Sequence, residues 1–274
     1  MTLVIARKIK NVISFSSDSR IKFGDQGFID FGIKIFPIPV KIYSPTDKAT
    51  GKTDLDYDYN LGLAVVGSSI NAYTIKDSVT EILQNIQHVP GYTDLSMDGI
   101  SKLVFKIFEM STKELMAILQ KQGLCQLILG GYCPIKKRIR VFLFSIDDST
   151  LPVTPIFSEI LQEDDTLFFG SGKTLAEQIY LSGTKGSLHI IREVIKGGKI
   201  DSVGGGLQYG EFDGNQFRVY GVTDYARYDD GSFKEYLYTL RGINLYKDEF
   251  ERESDGFHIA YSFKTPFENE IWNR

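Results

Sequence analysis

LGLAVVGSSINAYTIKDSVTEILQNI (residues 61–86) changes its period partway along. Up to Gly67 the apolar residues run almost without a break, as in a buried strand. From Ile70 they recur at Tyr73, Ile75, Val79, Ile82, Leu83 and Ile86, the spacing of one helical face. A strand that passes through glycine into an amphipathic helix divides the first half of the chain.

Upstream of that switch the chain is β-like. TLVIARKI (2–9) and NVISFSSD (11–18) alternate loosely around a polar turn at Lys10–Asn11. The segment 20–44 continues as strand, punctuated by Gly24, Gly27 and Gly32. The polar run 46–60 reads as a long hairpin tip or surface insertion. Downstream, 97–123 carries Ile100, Leu103, Val104, Ile107, Phe108, Leu115, Ile118 and Leu119 at helical spacing, closed by Gly123. Strands return at 124–132, 138–147 and 165–172, and two helical stretches follow at 173–183 and 186–198. Residues 200–222 read as two strands around an Asp213–Gly214–Asn215 turn, and 236–246 and 256–264 also look like strands.

Strands, two helices, strands, two helices, strands: segregated runs of this kind point to α+β layering. Two sheets face to face, with a helix pair on each outer face, would bury every apolar stripe. The expected fold is therefore an α+β, four-layer αββα sandwich. Its main domain spans 1–223, and 224–274 forms an extension on the same domain or on a neighbouring subunit.

Composition narrows the function. The chain has 274 residues, 42% hydrophobic and 24% charged, with a formal charge of −4. That length can bury a sizeable core. The acidic balance offers no basic stripe for nucleic acid. No apolar run reaches the roughly 18 residues of a membrane span, and TLVIA, with lysines after it, does not make a secretory leader. A cytoplasmic protein is the default expectation, with Cys125 and Cys133 reduced and in or near the core. His88, His189 and His258 lie far apart, and no Cys/His cluster has metal-site spacing. Neither metal nor cofactor is expected. FFGSGKT lacks the first glycine of a phosphate loop, since Leu167 stands in that place, and Gly204–Gly206 does not complete a dinucleotide fingerprint.

Three residues near the start stand out. Thr2 follows Met1, so methionine removal would leave a free amine beside a hydroxyl. Asp18 closes the second strand within Asp18–Ser19–Arg20, and Lys34 sits mid-strand in GIKIFPI, where a lysine needs a reason. A threonine hydroxyl becomes a nucleophile once a base takes its proton. The α-amine, with a reference pKa of about 7.7–8.0, can act near neutral pH. A cation beside such an amine would lower that pKa further, and a lysine buried in a strand needs a carboxylate to offset its cost.

In residue types and spacing, Thr2, Asp18–Ser19–Arg20 and Lys34–Ile35 resemble the proteasome-type N-terminal nucleophile hydrolases. AVVGSSINAY offers Gly67 where that family has its oxyanion-hole glycine, and FFGSG matches a later motif at Gly170–Ser171–Gly172. The likeness covers roughly residues 2–223. It implies peptide hydrolysis through an acyl-enzyme on Thr2, an unfolded-protein or peptide substrate, and a homo-oligomeric ring or spiral. It leaves a partner ATPase open. It also implies an Asp and a hydroxyl residue supporting Thr2 from the second half of the chain. Asp201 and Ser202 in DSVGGG fill those places, or Glu193 and Lys196 in IREVIKGG. The alternatives are a non-catalytic structural subunit and a small-molecule amidase on the same fold.

Overall fold

The computed structural model describes residues 2–24, 26–92, 94–147, 153–227, 233–246 and 260–265. Met1, with the expected cleavage there, and His258 fall outside them. In chain order the elements are β1 (Leu3–Ile9), β2 (Val12–Asp18), β3 (Ile21–Lys22), β4 (Phe28–Ile29), β5 (Ile35–Tyr43), β6 (Leu55–Gly67), α1 (Ser69–Leu83), β7 (Ile86–Gln87) and α2 (Met97–Leu119). There follow β8 (Cys125–Cys133), β9 (Arg138–Asp147), β10 (Thr154–Ile160), β11 (Asp165–Gly170), α3 (Lys173–Leu181) and α4 (Ser187–Gly197). The last are β12 (Leu207–Asp213), β13 (Gln216–Arg227), β14 (Phe233–Leu240), β15 (Ile243–Asn244) and β16 (Phe263–Lys264).

One sheet runs β11-β1-β2-β12-β13-β14-β15, with β16 parallel on β13; the other runs β10-β9-β8-β6-β5-β7. Among the described residues pairing is antiparallel apart from the short β5–β7 and β13–β16 contacts. The two-residue strands β3 and β4 pair as a separate ribbon.

Side chains on alternate faces of β1 enter different cores. Val4 and Ala6 join Phe15, Ile35, Ala64, Ile128 and Phe217 between the sheets. Leu3 and Ile5 join Phe168, Leu188, Ile191 and Val194 under α3 and α4. The unbroken apolar run at 3–6 follows from this, because a strand covered on both faces has no solvent side. A third cluster packs Ala72, Ile75 and Val79 of α1 and Val104 and Phe108 of α2 onto Leu63, Leu127 and Leu129.

The expected α+β, four-layer αββα sandwich is corrected by the balance of elements: 43% of the described residues are strand against 26% helix, in antiparallel sheets. The difference originates in the last part of the chain. β13 runs unbroken through residue 223, pairs with β14 as Val222↔Thr239 and Asp224↔Leu237, and β14 pairs with β15. Those strands carry the first sheet past β1, β2, β11 and β12, the strands that α3 and α4 cover. The result is a β-dominated body with helices on part of its surface. Among the described residues no helix is long and apolar enough to cross a membrane.

Candidate active site

The β1–β2 hairpin pairs Val4 with Ser17, which places Thr2 and Asp18 side by side. Thr2 Oγ1 donates to Asp18 Oδ1 at 2.6 Å. The same oxygen accepts from Leu3 N at 2.9 Å and from Lys34 Nζ at 2.8 Å. Asp18 Oδ2 accepts from Gly204 N at 3.0 Å and Arg20 N at 3.2 Å. Asp18 is fully buried and Lys34 is 4% exposed. A buried carboxylate is tolerable only when it is paired and hydrogen-bonded, and this one accepts five donors. Burial lowers the Lys34 pKa below 10.5, and the Asp18 charge and hydrogen bond oppose that shift.

Lys34 is held from behind. Its backbone N donates to Gln208 Oε1 at 3.0 Å, while Gln208 Nε2 donates to the carbonyls of Asp18 and Gly32, each at 2.9 Å. Gln208 therefore ties the end of β2 to the chain entering β5. Arg20 and Ser19 close the other side. The Arg20 guanidinium forks onto Asp30 at 2.7 and 3.0 Å and donates to the Asp201 carbonyl at 3.2 Å. Ser19 N and Arg20 N both donate to the Gly204 carbonyl.

The Thr2 carbonyl lies against the turn after β11. Gly172 N and Ser171 Oγ each approach it at 3.4 Å. Gly170 has φ +92, and a Cβ there would collide with the Thr2 carbonyl oxygen. Ser171 Oγ lies 2.8 Å from Ser202 Oγ. Val66 Cγ1 borders the same Gly170 position, which brings the end of β6 to the site. Gly67 follows at φ +97, where a side chain would run into the Leu124 carbonyl at 2.5 Å. Ser68 then caps α1 from an extended conformation.

Of the residues singled out in the sequence, Thr2, Asp18, Lys34, Ser171 and Ser202 share one neighbourhood, and Gly67 adjoins it through Val66. The Asp201 carboxylate is not brought to Thr2: its side chain is 83% exposed and lies 3.8 Å from Lys22 Nζ. Glu193 and Lys196 pair with each other at 3.7 Å on the open face of α4. Sequence reasoning missed Gln208 and the Gly204 amide. A glutamine inside a buried strand is the same signal that drew attention to Lys34, whereas a backbone donor leaves no trace in residue type. The two cysteines are free and buried, and burial pushes the Cys125 thiol up to about 12. Among the described residues no group of three His, Cys, Asp or Glu side chains gathers as a metal site would require.

No protein-family model matches the chain, and no curated protein matches it. Solved structures do. The Anbu complex from Pseudomonas aeruginosa, solved as a helical assembly, has TM-score 0.55 and 15% identity over 80% of this chain and 86% of that one. Anbu (ancestral beta-subunit) from Yersinia bercovieri has TM-score 0.52 and 17% identity over 80% and 87%. A Gly-1 mutant of Anbu from Hyphomicrobium sp. strain MC1 has TM-score 0.54 and 12% identity over 92% and 91%. The assignment to the proteasome-type N-terminal nucleophile hydrolases is corrected accordingly. No family model or curated protein supports it, and the likeness found is one of fold, to the Anbu proteins.

Proposed function

We propose that the chain hydrolyses amide bonds through Thr2, once Met1 has been removed. The observation that carries this is the buried contact of Thr2 Oγ1 with Asp18 Oδ1 at 2.6 Å, the same oxygen holding Lys34 Nζ at 2.8 Å. The freed α-amine of Thr2 takes the hydroxyl proton as Oγ1 attacks the amide carbon. The tetrahedral intermediate collapses, the C–N bond breaks, and the amine returns that proton to the departing nitrogen. Water then attacks the acyl ester on Thr2, its proton passing to the α-amine; the ester C–O bond breaks, the amine gives that proton to Thr2 Oγ1, and the carboxylic acid leaves. Lys34 keeps a positive charge beside the amine and favours its neutral, basic form. The amide of Gly67, at the entry to α1, faces the developing oxyanion, a contribution of roughly 3–4 kcal/mol.

Peptide is the proposed substrate, the amide bond being the one that an acyl-enzyme on Thr2 would open. Assembly of several copies into a ring or spiral is proposed by analogy with the helical assembly of the Pseudomonas protein. The test is intact mass together with cleavage of fluorogenic peptides. The expected result is a chain lacking Met1 that cleaves, and a folded Thr2→Ala variant that does not. A chain that retains Met1 in its own cells, or a Thr2→Ala variant with full activity, overturns the proposal.

A further inference from the structure

At the end of the sheets away from Thr2, three hairpin turns converge: β1–β2, β8–β9 and β12–β13. They border a cleft of about 1030 Å³ lined by Lys8, Lys10, Lys137, Arg138 and Lys264, with Glu211 and Asp213 as its carboxylates. Thr2 and Lys10 are separated by the length of β1, roughly 26 Å at 3.3 Å per residue. Positive charge prevails in this cleft, although the whole chain carries −4.

The charges here are of two kinds. Lys264 pairs with Glu211 at 2.7 Å, Arg138 with Glu159 at 3.0 Å, and Asp213 with Arg218 at 3.2 Å. Lys8 donates to the Gln162 carbonyl at 2.5 Å. Lys10 and Lys137, by contrast, have no acidic partner among the described residues. Both also stand in the left-handed region, Lys10 at φ 53 and Lys137 at φ 51. Hairpin turns fill such positions with glycine, asparagine or aspartate, because a Cβ is strained there. Two different turns thus accept the same unfavourable residue, and both turns open on the same cleft. Strain of this kind is a pointer to a site. Tyr132 and Tyr220 add aromatic walls.

We infer that this cleft binds an anion carrying several phosphate groups, with Lys10 and Lys137 as its free cations and Lys8 and Arg138 beside them. The inference is independent of any chemistry at Thr2. Two sources share the ligand chemistry, free polyphosphate and a nucleotide, and the tyrosine walls could stack only on the second.

Titration calorimetry with inorganic tripolyphosphate and, separately, with ATP, both at 50 mM salt, tests it. Saturable binding is expected, weakened at least tenfold when Lys10→Asn and Lys137→Asn are combined. Asparagine suits positive φ, so the double variant should melt no lower than the parent. Lys137→Gly, equally at home there, is a second variant and should weaken binding in the same direction. Lys102→Asn on α2 should bind as the parent does. Tighter binding of ATP assigns the nucleotide as the source, and equal binding assigns polyphosphate. Absence of saturable binding to either, or unchanged affinity in the double variant, overturns the inference.

Discussion

Lys34 and Asp18 form an ion pair at 2.8 Å with side-chain exposures of 5% and 0%. Neither charge has water to fall back on, so each depends on the other. Replacing Lys34 with methionine should therefore cost about 3–5 kcal/mol, the penalty for stranding one buried charge. Urea unfolding measures it. A change under 1 kcal/mol would mean that Asp18 is adequately held by its four other donors.

The same pair makes stability depend on alkaline pH. Burial depresses the folded-state pKa of Lys34 below 10.5. Below that depressed value lysine is charged in both states, and its contribution to stability does not change with pH. Between the depressed value and 10.5 the unfolded chain holds more protons, so stability rises with pH. The difference in unfolding free energy between parent and Lys34→Met should therefore shift in the parent's favour as pH climbs towards 10. A flat difference across that range contradicts the assigned direction.

Gln208 satisfies three buried backbone groups at once, the Asp18 and Gly32 carbonyls and the Lys34 amide. Gln208→Leu should cost roughly 1–3 kcal/mol for each group left bare. It should also impair peptide cleavage, if cleavage is found, through displacement of Lys34. Equal stability of parent and variant in urea would show that water or rearrangement takes over those bonds.

Gly170→Ala adds a Cβ at φ +92, directly onto the Thr2 carbonyl. A strain of roughly 1–3 kcal/mol is expected. Gly214→Ala, also at positive φ but with open space around it, is the matched control. The Gly170 variant should melt lower than the control, and equal melting temperatures would remove the proposed clash.

Cys125 is 3% exposed, and its thiol is pushed up to about 12 by burial. Thiolate is the reactive form, so iodoacetamide at pH 8 should leave it untouched in the native protein and modify it in urea. Peptide mapping of the labelled chain distinguishes the two, and native labelling at Cys125 would contradict its placement.

Local patterns were legible in the sequence where one segment specified its own partner. Alternation in 2–18 announced the hairpin that unites Thr2 with Asp18, and a lysine inside GIKIFPI announced a buried charge. Elsewhere the deciding contact came from far along the chain. Nothing in LQY says that Gln208 will reach back to Lys34. Asp201 and Ser202 are neighbours in sequence, yet one points to solvent and the other to Ser171, a distinction set by the loop's backbone. The strand character of 236–246 was readable, but not the edge it would extend, and that choice tipped the fold towards β.

Gly204 donates to the Asp18 carboxylate across 186 residues of sequence. The cage around that acid therefore cannot close until Gly204 has left the ribosome, about three quarters of the way along the polypeptide. For most of its synthesis the chain therefore carries Asp18 and Lys34 in water, and their burial waits on contacts of long sequence separation.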